Sequence, residues 1–118
     1  MDGRSLTGRL GEEAAAELYR RRGYRIVARN WRCRVGELDV VTARGDVLVV
    51  CEVKTRRGSA YGGGYEAVDA RKRAKLRAVA EAFLMAWPGH QAAVRFDVAS
   101  VALGRDGSTA VEIFEDAF

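Results

Sequence analysis

Two short segments of the chain place charged side chains within apolar, strand-like sequence. Residues 37–39 are Glu-Leu-Asp and residues 52–54 are Glu-Val-Lys, the latter directly after an apolar run at 48–51. Burying an ionised group costs free energy unless a partner or a ligand compensates for it. These two segments are therefore the first candidates for residues that do chemistry.

The alternation of side chains along a strand sets which of these charges share a face. Glu37 and Asp39 lie two apart on one strand, and each pair of this kind shares a face. The same holds for Glu52 and Lys54 on the next strand. A hairpin turn centred on residues 44–45 would put Glu37 opposite Glu52, with Asp39 one diagonal step away. We therefore expect the four charged side chains to converge.

Clustered carboxylates repel one another and take up protons unless a divalent cation neutralises them. Asp39 and Glu52 would supply hard oxygen ligands for Mg²⁺ or Mn²⁺, with other positions open to water and phosphate. Lys54 could then hold or deprotonate the activated water and offset charge in the transition state. The competing interpretation is that Glu37 or Glu52 pairs with Lys54 on an exposed hairpin. The apolar run at 48–51 favours the metal site, because it indicates a central strand.

The elements that must position this cluster are predicted in the order α-β-β-β-α-β-β, an α/β fold with a mixed central sheet flanked by helices. Ser5 or Thr7 can cap a first helix that runs to about Arg22, and a second helix should span residues 66–87. The other expected elements are strands at about 24–31, 36–42, 47–55, 92–103 and 109–114, tight turns at 43–46 and 104–107, and a mobile glycine-rich loop at 56–65.

Length and composition indicate one globular domain spanning residues 1–118. Of the 118 residues, 48% are hydrophobic and 31% charged, and the chain is too short for a second core. It has no apolar run long enough to span a membrane and no signal-peptide pattern, so a cytoplasmic location is expected. With Cys33, Cys51 and His90 as the only cysteines and histidine, a zinc site is disfavoured and reduced thiols are expected.

Positive charge is concentrated in the first two thirds of the chain. The formal net charge is +4, and residues 1–77 hold 18 of the 20 basic residues. A basic body is typical of a protein that binds a phosphate backbone, although an ordinary solvated surface would show the same bias. Nucleic acid is therefore an expected partner, and a membrane is not. The residues expected to contact phosphates are Arg56, Arg57, Arg71, Lys72 and Lys75.

Two further pairs of residues each allow two interpretations. Tyr61 and Tyr65 could stack on splayed bases or dock on the protein's own surface. Arg95 and Asp97 lie two apart on one predicted strand, where they could form a structural ion pair or place Arg95 near a phosphate. We favour the structural ion pair.

Four motifs, in this order along the chain, resemble a known family. They resemble the YraN-like family of uncharacterised bacterial proteins, which is similar to archaeal Holliday-junction resolvases, and the resemblance covers nearly the whole chain. The motifs are Gly8-x-x-Gly11-Glu12, Gly36-Glu37-Leu38-Asp39, Val50-Cys51-Glu52-Val53-Lys54-Thr55-Arg56 and Arg95-Phe96-Asp97-Val98.

The resemblance implies a restriction-endonuclease-like PD-(D/E)xK core. In such a core Asp39 and Glu52 would bind the metal and Lys54 would serve the water. Glu12 would point toward the site from the first helix, and Glu37 could substitute for it or supplement it. Leu38 precedes the aspartate in place of proline, a departure that removes no ligand.

The expected function is hydrolysis of DNA phosphodiester bonds by a Mg²⁺- or Mn²⁺-dependent endonuclease, with branched DNA as a candidate substrate. Symmetric cutting of a junction would need two sites, so a homodimer is a candidate assembly. The alternative is a module of the same fold that binds nucleic acid or a protein partner with little or no catalysis. Dependence on a divalent ion distinguishes the two functions.

Overall fold

The computed structural model describes residues 5–58, 68–89 and 91–118. These residues form two helices and five strands in the predicted order. In chain order the elements are α1 (Leu6–Arg21), β1 (Arg25–Arg32), β2 (Glu37–Arg44), β3 (Val47–Arg57), α2 (Ala70–Ala86), β4 (Ala93–Leu103) and β5 (Thr109–Phe114).

The five strands form one mixed sheet in the order β1-β2-β3-β4-β5. Strands β3 and β4 are parallel, and the other three neighbouring pairs are antiparallel. A parallel pair needs a crossover connection, and the segment that contains α2 provides it. The predicted mixed α/β sheet is confirmed, with β3 at its centre.

Each face of the sheet has its own apolar core, covered by one helix. Val49 and Cys51 of β3 pack with Tyr19 on the α1 side, whereas Leu48 and Val50 belong to the core on the α2 side. All four β3 residues are at most 2% exposed. Strand β3 is therefore buried on both faces, which explains its continuous apolar run.

Helix α1 lies against the end of β3 through a glycine. Ser5 is the cap of this helix, since its Oγ accepts the N–H of Gly8 at 3.0 Å. A Cβ atom added at Gly11 would lie 1.9 Å from Oγ1 of Thr55 and 2.9 Å from its Cβ. Only glycine allows this approach, and it brings the neighbouring Glu12 to the sheet.

Helix α2 begins at Ala70, so the prediction of helix at residues 68 and 69 is wrong, and residues 66 and 67 lie outside the described part of the chain. Asp69 is the cap, and its carboxylate accepts the N–H of Lys72 at 2.8 Å. Val68 is buried at 2% exposure but precedes the helix. The capping side chain satisfies a free N–H of the first turn, which favours a helix start at this point rather than earlier.

The hairpin between β2 and β3 has a different register from the predicted one. Arg44 pairs with Val47, so the turn consists of residues 45 and 46, and Gly45 adopts a φ of +57°. The predicted pairing of Glu37 with Glu52 is wrong, because the register places Asp39, not Glu37, next in line with Glu52. The shift is two residues, and an even shift leaves every side chain on its predicted face.

The remaining predictions on loops and compartments have mixed outcomes. Arg56 and Arg57 belong to β3 rather than to the predicted loop. Gly58 of that loop is described, whereas residues 59–65, which include Tyr61 and Tyr65, lie outside the described residues, as does His90. Among the described helices, none combines the length and apolar character needed to cross a membrane.

Candidate metal centre

Asp39 lies where strands β2 and β3 part. The ladder between them ends at the pair of Val40 and Cys51, although both strands continue. Beyond that pair, Oδ2 of Asp39 accepts the N–H of Val53 at 2.9 Å. A side-chain carboxylate thus takes the place of a backbone acceptor, and this bond fixes its orientation.

Glu52 lies on the central strand and shares a cavity with Asp39. It is 9% exposed and pairs in register with Val98 of β4. The cavity has a volume of about 200 Å³ and lies between the sheet and α2. The residues that line it are Glu37, Asp39, Glu52, Lys72, Lys75, Leu76 and Val79.

The two carboxylates repel each other electrostatically. The pKa of Asp39 is raised to about 7, mainly by burial, then by the charge of Glu52, and to a smaller extent by the charge of Glu12. The hydrogen bond from Val53 acts in the opposite direction. A buried pair of like charges favours either a proton or a cation between its members, so the site has the electrostatics of a cation site.

Lys72 of α2 forms an ion pair with one of these carboxylates. Its Nζ lies 2.7 Å from Oε2 of Glu52, and the lysine side chain is 46% exposed against 11% for the glutamate. The hydrogen bond to Glu52 raises the pKa of Lys72. From the sequence we expected Lys72 to bind phosphate. The sequence gave no indication of its ion pair with Glu52, because that contact depends on how α2 packs over β3.

Glu12 approaches Asp39 from the α1 side of the sheet. It is 6% exposed, and its Oε1 accepts the side-chain N–H of Asn30 at 3.0 Å. Asn30 has a φ of +52°, a conformation that asparagine tolerates better than most residues. Sequence reasoning missed Asn30, and an asparagine inside an otherwise regular strand was the available signal.

Glu37, which was expected to substitute for Glu12 or to supplement it, lies at the edge of the cavity. It lines the same space as Asp39 and Glu52. Nε of Arg32 lies 3.4 Å from its Oε2, so part of its charge is already compensated. Glu37 and Glu12 therefore approach Asp39 and Glu52 from different sides, and Glu37 is the one in contact with the cavity.

Lys54 lies further along the face of β3 that carries Glu52. It is half-buried and pairs in register with Ser100 of β4. It does not line the described cavity. Residues two apart on a strand are separated by about 7 Å, a distance that a lysine side chain can span.

The donor set fits Mg²⁺ or Mn²⁺. In the described ranges, no three Asp, Glu, His or Cys side chains are arranged to enclose a metal ion. Asp39 and Glu52 instead form an open pair of oxygen donors. Mg²⁺ is commonly held by one or two carboxylates while it keeps waters and phosphate oxygens, whereas a structural zinc site needs four closed N or S ligands.

The basic residues of α2 divide into two groups. All five are exposed, and what divides them is their contacts: Lys72 and Lys75 line the cavity, whereas Arg73 and Arg77 contact the rest of the fold. Nε of Arg73 donates to the carbonyl of Val68 at 2.7 Å, and the guanidinium of Arg77 lies 4.8 Å from the ring centroid of Phe96. The latter two arginines therefore stabilise the fold.

Arg57 and Arg95 also make internal contacts. Arg57 donates from Nε to Oγ1 of Thr7 at 2.8 Å, which ties the end of β3 to α1. Arg95 forms two hydrogen bonds of 2.9 Å with the buried carboxylate of Asp97. This geometry agrees with the structural ion pair that we favour for residues 95 and 97.

Comparison with known proteins places the chain in a family. Residues 11–101 match the uncharacterised protein family UPF0102. The chain is 50% identical over 111 residues to a UPF0102 protein of Parafrankia sp. (strain EAN1pec), covering 94% of each chain. It is 45% identical over 118 residues to one of Pelotomaculum thermopropionicum, covering 99% of this chain and 98% of the relative. The chain therefore belongs to the UPF0102 family, which is the YraN-like family that its motifs resemble.

Proposed function

We propose that this protein is a Mg²⁺- or Mn²⁺-dependent endonuclease of the PD-(D/E)xK type that hydrolyses DNA phosphodiester bonds. One observation carries the proposal: Asp39 and Glu52 share a cavity at the central strand, where burial and the Glu52 charge raise the pKa of Asp39 to about 7. Two apolar side chains at these positions would make the fold more stable. The repulsion is compensated when the site binds a cation.

The position of the pair within the fold supports the PD-(D/E)xK assignment. The carboxylates lie where β2 and β3 part, beyond the pair of Val40 and Cys51. The helices cover opposite faces of the mixed sheet, and Glu12 reaches the pair from α1. The site thus receives charged groups from four elements, α1, β2, β3 and α2.

Asp39 and Glu52 would hold the ion, and Lys54 would act on the water. The ion would supply a Lewis acid that lowers the pKa of water and draws charge from the phosphate oxygens. Asp39 is already oriented by the N–H of Val53. Lys54 is close enough along the same strand face to orient the attacking water and to offset negative charge that develops on the phosphate.

Exposed cations beside the cavity support DNA as the substrate. Lys75 lines the cavity, and Arg71 lies four residues earlier on the same exposed helix face. Arg56 and Arg57 end strand β3, beyond Lys54. Together these residues would bind the phosphate backbone on both sides of the scissile bond, and symmetric cutting of a junction would require a second copy of the chain.

The decisive experiment is a cleavage assay on linear, flapped and four-way DNA with Mg²⁺, Mn²⁺ or EDTA. We expect products only with a divalent ion, and none from the Asp39→Asn or Glu52→Gln variant. Glu17→Gln is the matched control, because Glu17 is an exposed carboxylate of α1 that pairs with Arg20. Cleavage by Asp39→Asn at the parental rate would contradict the proposal.

One contact favours a second candidate, a nucleic-acid-binding module without catalysis. Lys72 neutralises Glu52 at 2.7 Å, which reduces the need for a metal ion. Such a module would bind DNA equally well in EDTA and in Mg²⁺ and would leave every DNA substrate intact. The same assay, run beside a binding titration, distinguishes it from the nuclease.

A further inference from the structure

We propose that Lys72 is an exchangeable partner of Glu52, whose ammonium holds the carboxylate until a divalent ion binds there and then moves to a phosphate oxygen of the DNA. The inference rests on the proposed function and assigns a substrate-positioning role to a residue of α2. Its basis is the 2.7 Å contact between Nζ of Lys72 and Oε2 of Glu52.

The two partners differ in their freedom to move. Glu52 lies on the central strand, and its side chain is 11% exposed, whereas that of Lys72 is 46% exposed. The backbone of Lys72 is fixed, since its N–H donates to Asp69 at 2.8 Å in the helix cap. When the contact breaks, the flexible lysine stem must therefore move while the glutamate stays in place.

The charges favour this exchange. With both carboxylates ionised, Asp39 and Glu52 carry two negative charges, and Lys72 balances one of them. A divalent ion balances both and repels the ammonium, because like charges at close range are unfavourable in a partly buried site. The site then has a net positive charge, which a phosphodiester anion compensates.

The cavity gives the displaced ammonium a place beside the substrate. Lys72 and Lys75 line the same space of about 200 Å³, one helical turn apart. A lysine suits the exchange because its ammonium is a point charge with three rotatable donors. An arginine would hold Glu52 through two parallel hydrogen bonds and would release it less readily.

The test is a titration of the whole protein with Mn²⁺ in the absence of DNA, in which electron paramagnetic resonance measures the bound ion. We expect Lys72→Met to bind Mn²⁺ about five-fold more tightly, because the competing ammonium is gone. Lys75→Met is the matched control, since it removes the same charge from the same cavity without removing the ion pair. It should change the affinity by no more than about two-fold. Lys72→Arg should weaken Mn²⁺ binding although it keeps the charge.

A DNA titration completes the test. In Ca²⁺, which binds oxygen ligands as Mg²⁺ does, Lys72→Met should weaken DNA binding, and in EDTA it should have no effect. Equal Mn²⁺ affinities in Lys72→Met and Lys75→Met would overturn the exchange while leaving the nuclease proposal intact. If the parental protein bound no Mn²⁺, both proposals would be overturned.

Discussion

Asp39 and Asp97 are aspartates of the same sheet with opposite surroundings. Asp97 is 0% exposed, and donors surround its carboxylate: Arg95 twice at 2.9 Å, the hydroxyl of Tyr19 at 2.7 Å and the N–H of Asp116 at 3.0 Å. Asp39 accepts a hydrogen bond from the N–H of Val53 and otherwise faces the charge of Glu52.

The difference separates a charge that is neutralised within the fold from one that the proposed function uses. A carboxylate whose hydrogen-bond donors and counter-ion are all supplied by the protein is neutralised within the fold. It has no acceptor left for an external ligand. Burial, followed by the nearby Cys51 and Asp97, raises the pKa of Tyr19, so its hydroxyl stays protonated and donates to Asp97. Among the residues that the structure describes, no comparable set of donors surrounds Asp39, and the proposed function assigns its charge to a ligand from outside the fold.

The largest expected effect is on stability at the structural aspartate. Asp97→Ala removes the partner of Arg95 and of the Tyr19 hydroxyl, so we expect it to lower the free energy of unfolding by about 3–5 kcal/mol. Asp39→Asn keeps an oxygen for the N–H of Val53 and removes a like charge, so at pH 8 it should leave stability unchanged or increase it. Urea unfolding of both variants measures the difference, and equal losses would break the comparison.

Substitutions of the basic residues assigned to the two aspartates, Lys54 and Arg95, should differ in the same way: one should affect cleavage and the other stability. Lys54→Ala should slow cleavage by about 100-fold or more while DNA affinity stays nearly the same, because Lys54 acts where charge develops in the transition state. Arg95→Met should instead lower stability, since it leaves Asp97 without its counter-ion. Single-turnover cleavage and a DNA titration provide the measurements. Parental cleavage rates in Lys54→Ala would remove the proposed mechanism.

The pH dependence of stability should carry the signature of Asp39. Its pKa is raised from 3.8 to about 7 in the folded state, so between these pH values the folded protein binds more protons than the unfolded one. Stability attributable to Asp39 is therefore present at low pH and lost as the pH rises through 7, by on the order of 4 kcal/mol. The measurement is the difference in unfolding free energy between the parental protein and Asp39→Asn from pH 4 to 8. A difference that does not vary with pH would contradict the raised pKa.

A smaller effect is expected on the proposed DNA-binding surface beside Asp39 and Glu52. Arg71→Ala combined with Lys75→Ala should weaken binding to all sequences and flatten the slope of log K against log salt by about 2 units for duplex DNA. Arg77→Ala is the control, because that arginine packs on the ring of Phe96. An unchanged slope in the double variant would place the DNA surface elsewhere on the protein.

The smallest effect is expected at Asn30, which holds Glu12. Asn30→Gly tolerates the φ of +52° but removes the amide donor, so stability should change by less than about 1 kcal/mol while Mn²⁺ affinity falls a few-fold. Asn30→Ala adds backbone strain of about 1 kcal/mol. Calorimetry and urea unfolding of both variants separate the two contributions. An unchanged Mn²⁺ affinity in Asn30→Gly would exclude a supporting role for Glu12.

The family, the element order and the central strand could be predicted from the sequence because they depend on local patterns. The apolar run before Glu52 requires burial on both faces, and glycine at residue 23 marks the end of α1 with a φ of +89°. The prediction of which side chains share a sheet face is also unaffected by the error in register, because side chains alternate with a period of two. Patterns of this kind are set by neighbours along the chain.

The wrong and missed features depend on choices between nearly equivalent local structures or on distant contacts. Arg44 can end a strand or belong to a turn, and only the conformation of Gly45 decides the hairpin register. Asp69 and Glu66 are both acceptable near a helix start, so no local pattern favoured Ala70 over residue 66 as the predicted start of α2. The ion pair of Lys72 with Glu52 requires knowledge of how two elements pack, and no local pattern contains it.

The contact between Gly11 and Thr55 determines how precisely Glu12 is positioned. No side chain acts as a spacer there, so the main chain of α1 rests on a β-branched residue whose atoms have little rotational freedom. A backbone-to-strand contact has a much smaller positional tolerance than one between long side chains, which can change rotamer. The distance of Glu12 from Asp39 and Glu52 is therefore fixed by a rigid backbone contact, and a methyl group at residue 11 would displace α1 from the sheet.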